Sequence, residues 1–106
     1  MKTMEGILRQ ELKRLQETEK SYVKEIEKLP RGSLQKKKIK GITYSYLVSS
    51  KNSKLSYRYL GGTSGEELEK IKEGIDLRKK YQDLLRAVRR DIQRIKKILH
   101  AKRRTV

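Results

Sequence analysis

The sequence predicts an α+β protein: a long N-terminal helix, a small antiparallel three-stranded sheet, and a long C-terminal helix that pairs antiparallel with the first. Three observations predict it. Residues 4–29 and 63–103 repeat apolar side chains at helical spacing, whereas residues 33–60 switch to an alternation of period two. Pro30 and Gly61-Gly62 stand at the two joins. A chain of 106 residues is read as a single domain over 1–106.

The first helix, 4–29, places Leu8, Leu15, Tyr22 and Leu29 seven residues apart, with Met4, Leu12, Val23 and Ile26 beside them. Glu11, Glu19, Lys20 and Lys24 mark its solvated side. Pro30 stops it, because proline offers no N–H and pushes Leu29 out of helical geometry. Arg31-Gly32 then turns the chain into the sheet.

In the sheet, Ile42, Tyr44, Tyr46 and Val48 alternate with Thr43, Ser45, Leu47 and Ser49. Leu55, Tyr57 and Tyr59 alternate with Ser56, Arg58 and Leu60. The polar residues 49–54 between them predict a hairpin with a longer loop, and residues 33–39 form a further strand turned at Lys40-Gly41. Tyr44, Tyr46, Tyr57 and Tyr59 share one face. Two readings compete there: stacking platforms for unpaired bases, or packing against the helices together with Ile42, Val48 and Leu55. The chain has no Phe and no Trp, so we take the packing reading. Thr43, Ser45, Ser56 and Arg58, with Lys or Gln from the first strand, then form the open face, and small hydroxyls and cations suit a duplex groove.

The second helix opens with two possible capping boxes, Thr63 with Glu66 and Ser64 with Glu67. Leu68, Ile71 and Ile75 begin its apolar face, and Tyr81, Leu85, Val88, Ile92, Ile95 and Leu99 continue it. Between Ile75 and Tyr81 the register slips, at Gly74 and Leu77, which predicts a bend or a change of packing partner. At about 1.5 Å per residue the helices measure roughly 40 and 58 Å. The longer should therefore project past the shorter and leave Ile92, Ile95 and Leu99 uncovered. An uncovered seam invites a second copy, so a homodimer, or a place in a larger nucleoprotein, is expected.

Catalytic chemistry finds little support. There is no Cys, and His100 is the only His, so thiolate metal sites and Cys–His nucleophiles are excluded. Asp76, Asp83 and Asp91 are seven and eight residues apart along one helix, so they could share a metal only across a dimer. The stretch Gly61-Gly62-Thr63-Ser64-Gly65 lacks the Lys-Ser/Thr of a P-loop and reads as a capped turn able to hold one phosphate. We expect no enzyme activity, no cofactor and no small-molecule substrate. No apolar run approaches the roughly 18 residues of a membrane span, and no signal-peptide apolar region is present; no membrane association and a cytoplasmic location are expected.

Charge is the stronger signal. The chain carries 29 Lys or Arg against 13 Asp or Glu, a net of +16. By segment the net is +1 over 1–29, +8 over 30–63 and +7 over 64–106. Lys36, Lys37, Lys38 and Lys40 cluster at one turn, with Lys51 and Lys54 near the other. On the second helix Arg86, Arg90, Arg94 and Lys97 form one stripe, while Arg89, Lys96 and Arg103 repeat every seven residues beside it. A solvated helix usually alternates sign; this one does not. The expected partner is DNA or RNA. The expected contacts are these cations of the sheet (Lys51 apart) and of the helix, with Thr43, Ser45 and Arg58. The alternative is a phage-type inhibitor or accessory subunit that meets a nucleic-acid-processing protein complex. A membrane-surface helix over 78–104 is disfavoured by its lack of Trp and Phe.

Gly32-Ser33-Leu34, Lys38-Ile39-Lys40-Gly41, Tyr44-Ser45-Tyr46 and Tyr57-Arg58-Tyr59-Leu60-Gly61 carry a resemblance over about residues 32–75. The layout resembles a group of small prokaryotic and phage-type proteins. It is also similar to the arm-type DNA-binding domain of tyrosine recombinases, three antiparallel strands followed by a helix. That second resemblance implies a sheet entering the major groove, with Gln35, Lys37, Thr43, Ser45 and Arg58 toward DNA. The long N-terminal helix, the longer second helix and the lack of a recombinase catalytic domain depart from that family.

Overall fold

A computed structural model of the chain describes residues 3–61 and 65–104. It contains α1 (Met4–Lys28), β1 (Ser33–Ile39), β2 (Ile42–Lys51), β3 (Lys54–Tyr59) and α2 (Gly65–Arg104). The α+β class and element order are those the periodicities predict. Thr3 caps α1, its Oγ1 accepting the Gly6 N–H at 3.0 Å. The predicted caps Thr63 and Ser64 lie outside the described residues. Glu66 and Glu67 occupy the first turn of α2, where the helix dipole favours carboxylates.

The chain divides into two compact units. One comprises α1 with α2 from Lys80 onward, and the other comprises residues 29–79. The helix α2 therefore changes packing partner just beyond Gly74 and Leu77, as the register slip predicts.

In the helical unit, Leu15, Ile92, Ile95 and Leu99 form the core, with Leu8, Leu12 and Val88 against it. Tyr22 and Tyr81 meet with ring centroids 5.8 Å apart, and Glu19 accepts a 2.9 Å hydrogen bond from Arg89. The pairing is antiparallel, and it corrects one expectation. Ile92 is only 4% exposed, and Ile95 and Leu99 are buried too. They are covered from within the chain, because α1 lies against the C-terminal portion of α2. The surplus length of α2 is its N-terminal portion, which belongs with the sheet. The seam that suggested a homodimer is thus already filled.

In the other unit, the strands follow the order β1-β2-β3, all antiparallel. Lys40 and Gly41 both have positive φ (50° and 81°), as do Asn52 and Ser53 (53° and 64°). Positive φ at both central residues is the signature of the tight hairpin turn that matches strand twist. The second hairpin therefore has a two-residue turn, not the longer loop expected over 49–54. Ser49 and Ser50 extend the ladder, pairing with Ser56 and Leu55. Polar side chains do not prevent strand pairing, and Asn tolerates the left-handed region that such a turn demands.

Three close approaches fix the entry to the sheet. Gly32 has φ of 106°, and a Cβ there would overlap the Val48 carbonyl oxygen. The ring of Pro30 lies against Gly74 of α2. Arg78 donates to the Leu29 carbonyl at 3.0 Å. Burial lowers the pKa of the Arg78 guanidinium, and the neighbouring charge of Arg31 lowers it further.

Candidate nucleic-acid interface

The register sorts the sheet into two faces. Leu34, Lys36, Lys38, Thr43, Ser45, Leu47, Ser49, Ser56 and Arg58 share one. Gln35, Lys37, Ile39, Ile42, Tyr44, Tyr46, Val48, Leu55, Tyr57 and Tyr59 share the other. The first face is the one turned toward α2. A cavity of about 490 Å³ is lined by Leu34, Lys36 and Ser45 from the strands and by Leu68, Lys72 and Ile75 from the helix. Leu60, whose N–H donates to the Ser45 carbonyl at 2.9 Å, is buried, as is Ile75.

This arrangement overturns the expected assignment of faces. The tyrosines do not lie on the side of the sheet that meets the N-terminal part of α2. Tyr57 and Tyr59 are 51% and 56% exposed, and Leu55, Ile42 and Ile39 on the same face are exposed as well. Tyr44 and Tyr46 are half-buried, with their centroids 6.0 and 5.5 Å from that of Tyr59. Lys37 reaches over this cluster, its Nζ 5.8 Å from the Tyr46 centroid and 5.2 Å from that of Tyr57. A Cβ on Gly61 would overlap the Tyr59 ring, so the bare backbone there keeps that ring in place. The aliphatic residues Leu34, Leu47 and Leu60 supply the helix-facing side instead. Ser45 is half-buried on that side, whereas Thr43, Arg58, Lys36 and Lys38 remain exposed on it. Lys40 stands in the first turn and Lys54 at the start of β3, both exposed.

The helical cations are distributed differently. Arg89, Arg90, Arg94 and Lys97 line one shallow depression with Gln93. Several of them are partnered: Arg86 with Asp83 at 3.3 Å, Arg89 with Glu19 at 2.9 Å, and Arg94 with Asp91 at 3.9 Å. Such exposed pairs contribute little stability, but they neutralise charge that the sequence pattern counts as free. Lys96 and Lys97 line a second depression with Arg9, Leu12, Leu99 and His100. The side chain of Arg103 lies outside the described residues.

No family model, curated protein or solved structure matches the chain. Among the described residues no group of three or more His, Cys, Asp or Glu is placed to hold a metal ion, and no helix is long and apolar enough to cross a membrane. Arg9 escapes a reading of the C-terminal stripe because it sits on α1. The antiparallel pairing that sets Leu15 against Ile92 carries it to Lys96 and His100. Tyr57 and Tyr59 are visible in the sequence as a pair on one face, but alternation alone does not say which face stays open.

Proposed function

We propose that this protein binds nucleic acid without catalysing a reaction on it, with the sheet as the principal contact and the C-terminal part of α2 as a supporting one. One observation carries the reading: residues 30–63 contain eight Lys or Arg and no acid. Lys36, Lys37, Lys38, Lys40, Lys54 and Arg58 are all exposed, and among the described residues none of them is held in an ion pair. A field of one sign with no internal counterion attracts polyanions and releases the cations condensed on them. The helical stripe is weaker by the same criterion, since Arg86, Arg89 and Arg94 have carboxylate partners.

If those six cations each neutralise one phosphate, log K falls against log salt with a slope of about −4 for a single strand and about −5 for a duplex. Between 50 and 200 mM salt, affinity then drops by roughly 300- to 2,000-fold. Fluorescence anisotropy with labelled single- and double-stranded DNA and RNA across a salt series reads this directly. Replacing Lys36, Lys37 and Lys38 with Gln should flatten the single-strand slope by about 2. The same change at Arg90, Arg94 and Lys97 should flatten it less. Absence of binding to every oligonucleotide at low salt would refute the proposal and favour a protein partner.

A further inference from the structure

Resting on the reading above, we infer that the tyrosine face of the sheet is a stacking platform for unpaired bases, so that the ligand is single-stranded nucleic acid. Of the six tyrosines, Tyr22 and Tyr81 pack on each other between the helices, while the other four lie together on one side of the sheet. That side is left open, with Tyr57 and Tyr59 more than half exposed. An open aromatic and aliphatic face of this extent on a small domain marks a contact surface. Its charge selects the occupant. Lys37 stands in the middle of the rings, and no acid occurs in residues 30–63. Rings with a cation among them match a ligand that alternates flat π-surfaces with negative charge, which is a strand of unpaired nucleotides.

Geometry separates single from double strands. Tyr57 and Tyr59 are two residues apart on β3, so their Cα atoms are about 6.8 Å apart. Stacked bases rise by about 3.4 Å, half that distance. Successive bases must therefore splay apart to meet successive rings, and in a duplex their faces are already covered by one another. The rings are also mutually tilted, by 46° for Tyr46 and Tyr59 and by 47° for Tyr44 and Tyr59, so they are not stacked on one another. Phosphates of the splayed strand fall within reach of Lys37 and of Lys40 at the neighbouring turn. The opposite face carries no aromatic ring, so its exposed Lys36, Lys38 and Arg58 can meet phosphates but not stack on bases.

The test uses the whole chain and oligonucleotides of about 12 nucleotides, within the span one small sheet domain covers. Probes are oligo(U), oligo(dT) and a hairpin duplex with the same number of phosphates. The two single strands separate RNA from DNA; a preference for either over the duplex supports the inference. Tyr57→Ala should weaken single-strand binding about tenfold and leave duplex binding unchanged, whereas Tyr57→Phe should keep wild-type affinity. Because the chain lacks Trp, intrinsic tyrosine fluorescence of the unmutated protein gives a second readout that does not depend on a variant folding. Oligo(dT) should quench it and the duplex should not. If Lys36, Lys37 and Lys38 prove necessary but Tyr57→Ala weakens neither ligand, or both equally, and oligo(dT) leaves the fluorescence unchanged, the stacking platform is overturned while phosphate binding stands. A mass measurement in solution adds one more arm: a stable dimer lost in Tyr57→Ala would assign the face to a second copy and also overturn the inference.

Discussion

Gly32→Ala is expected to be among the most damaging single-methyl additions this chain can receive. The residue joins Pro30-Arg31 to the first strand at a φ of 106°, outside the range that side chains of L residues accept. Forcing alanine into it costs about 1–3 kcal/mol in backbone strain. The new Cβ would also overlap the Val48 carbonyl oxygen. That oxygen cannot give way easily, since Val48 is buried and sits in the central strand, paired to Ser33 on one side and Tyr57 on the other. Relieving such an overlap by shifting packed backbone costs roughly another 1–3 kcal/mol. The sum, about 4 kcal/mol at its centre, is a large share of the 5–15 kcal/mol typical of a domain. With a urea dependence of about 2 kcal/mol per molar, the midpoint should fall by about 2 M. Gly41→Ala is the control: its φ is also positive, at 81°, but nothing lies within 4 Å of a Cβ there. It should cost only about 1 kcal/mol, and urea titrations followed by circular dichroism compare the two. Equal midpoints for both variants would show that the Gly32 approach to Val48 is not what holds β1 in register.

Two further substitutions probe the same corner. Gly74→Ala should raise intrinsic helicity by about 1 kcal/mol. Its Cβ would nevertheless stand 2.8 Å from the Pro30 ring, and a ring cannot rotate aside, so a net loss of about 1 kcal/mol is expected; a higher melting temperature would contradict the packing. Arg78→Met keeps an aliphatic stem but removes the 3.0 Å donor to the Leu29 carbonyl. It should cost about 1.5 kcal/mol, with Arg78→Lys between it and wild type in thermal unfolding; an unchanged melting temperature for Met would mean that solvent satisfies that carbonyl equally well.

The parts of the fold that were legible in the sequence are those with a single physical cause. Pro30 alone ends α1, and alternation alone makes residues 33–60 a sheet. What depended on two elements meeting was not legible. The apolar stripe of α2 slips between Ile75 and Tyr81, but the slip does not say which of the two stretches α1 covers. That is settled by where the chain turns, and it places Leu15 opposite Ile92. The second hairpin was obscured by composition, because Ser49, Ser50 and Lys51 look like loop residues yet remain in register with β3. The cation stripe of α2 is visible in the sequence as a pattern, but Glu19, which partners Arg89, lies 70 residues away in sequence.

The inverted sheet is the instructive case. Both faces alternate, and counting hydrophobic residues favours the tyrosine side as the buried one. Counting by chemistry favours the other. Leu34, Leu47 and Leu60 are wholly apolar, and each gains about 1.5–3 kcal/mol when fully covered. With Leu68 and Ile75 of α2 on the same side, they form the covered face that a three-stranded sheet needs for stability. Tyrosine gains from burial only when its hydroxyl also finds a partner, and four hydroxyls on one small face would need four partners. Left outward, they are satisfied by water while the rings stay available. If the face is the base-stacking platform inferred above, tyrosine suits it, since its hydroxyl stays hydrated while its ring offers a π-face. The cation set among the rings then matches a negatively charged ligand.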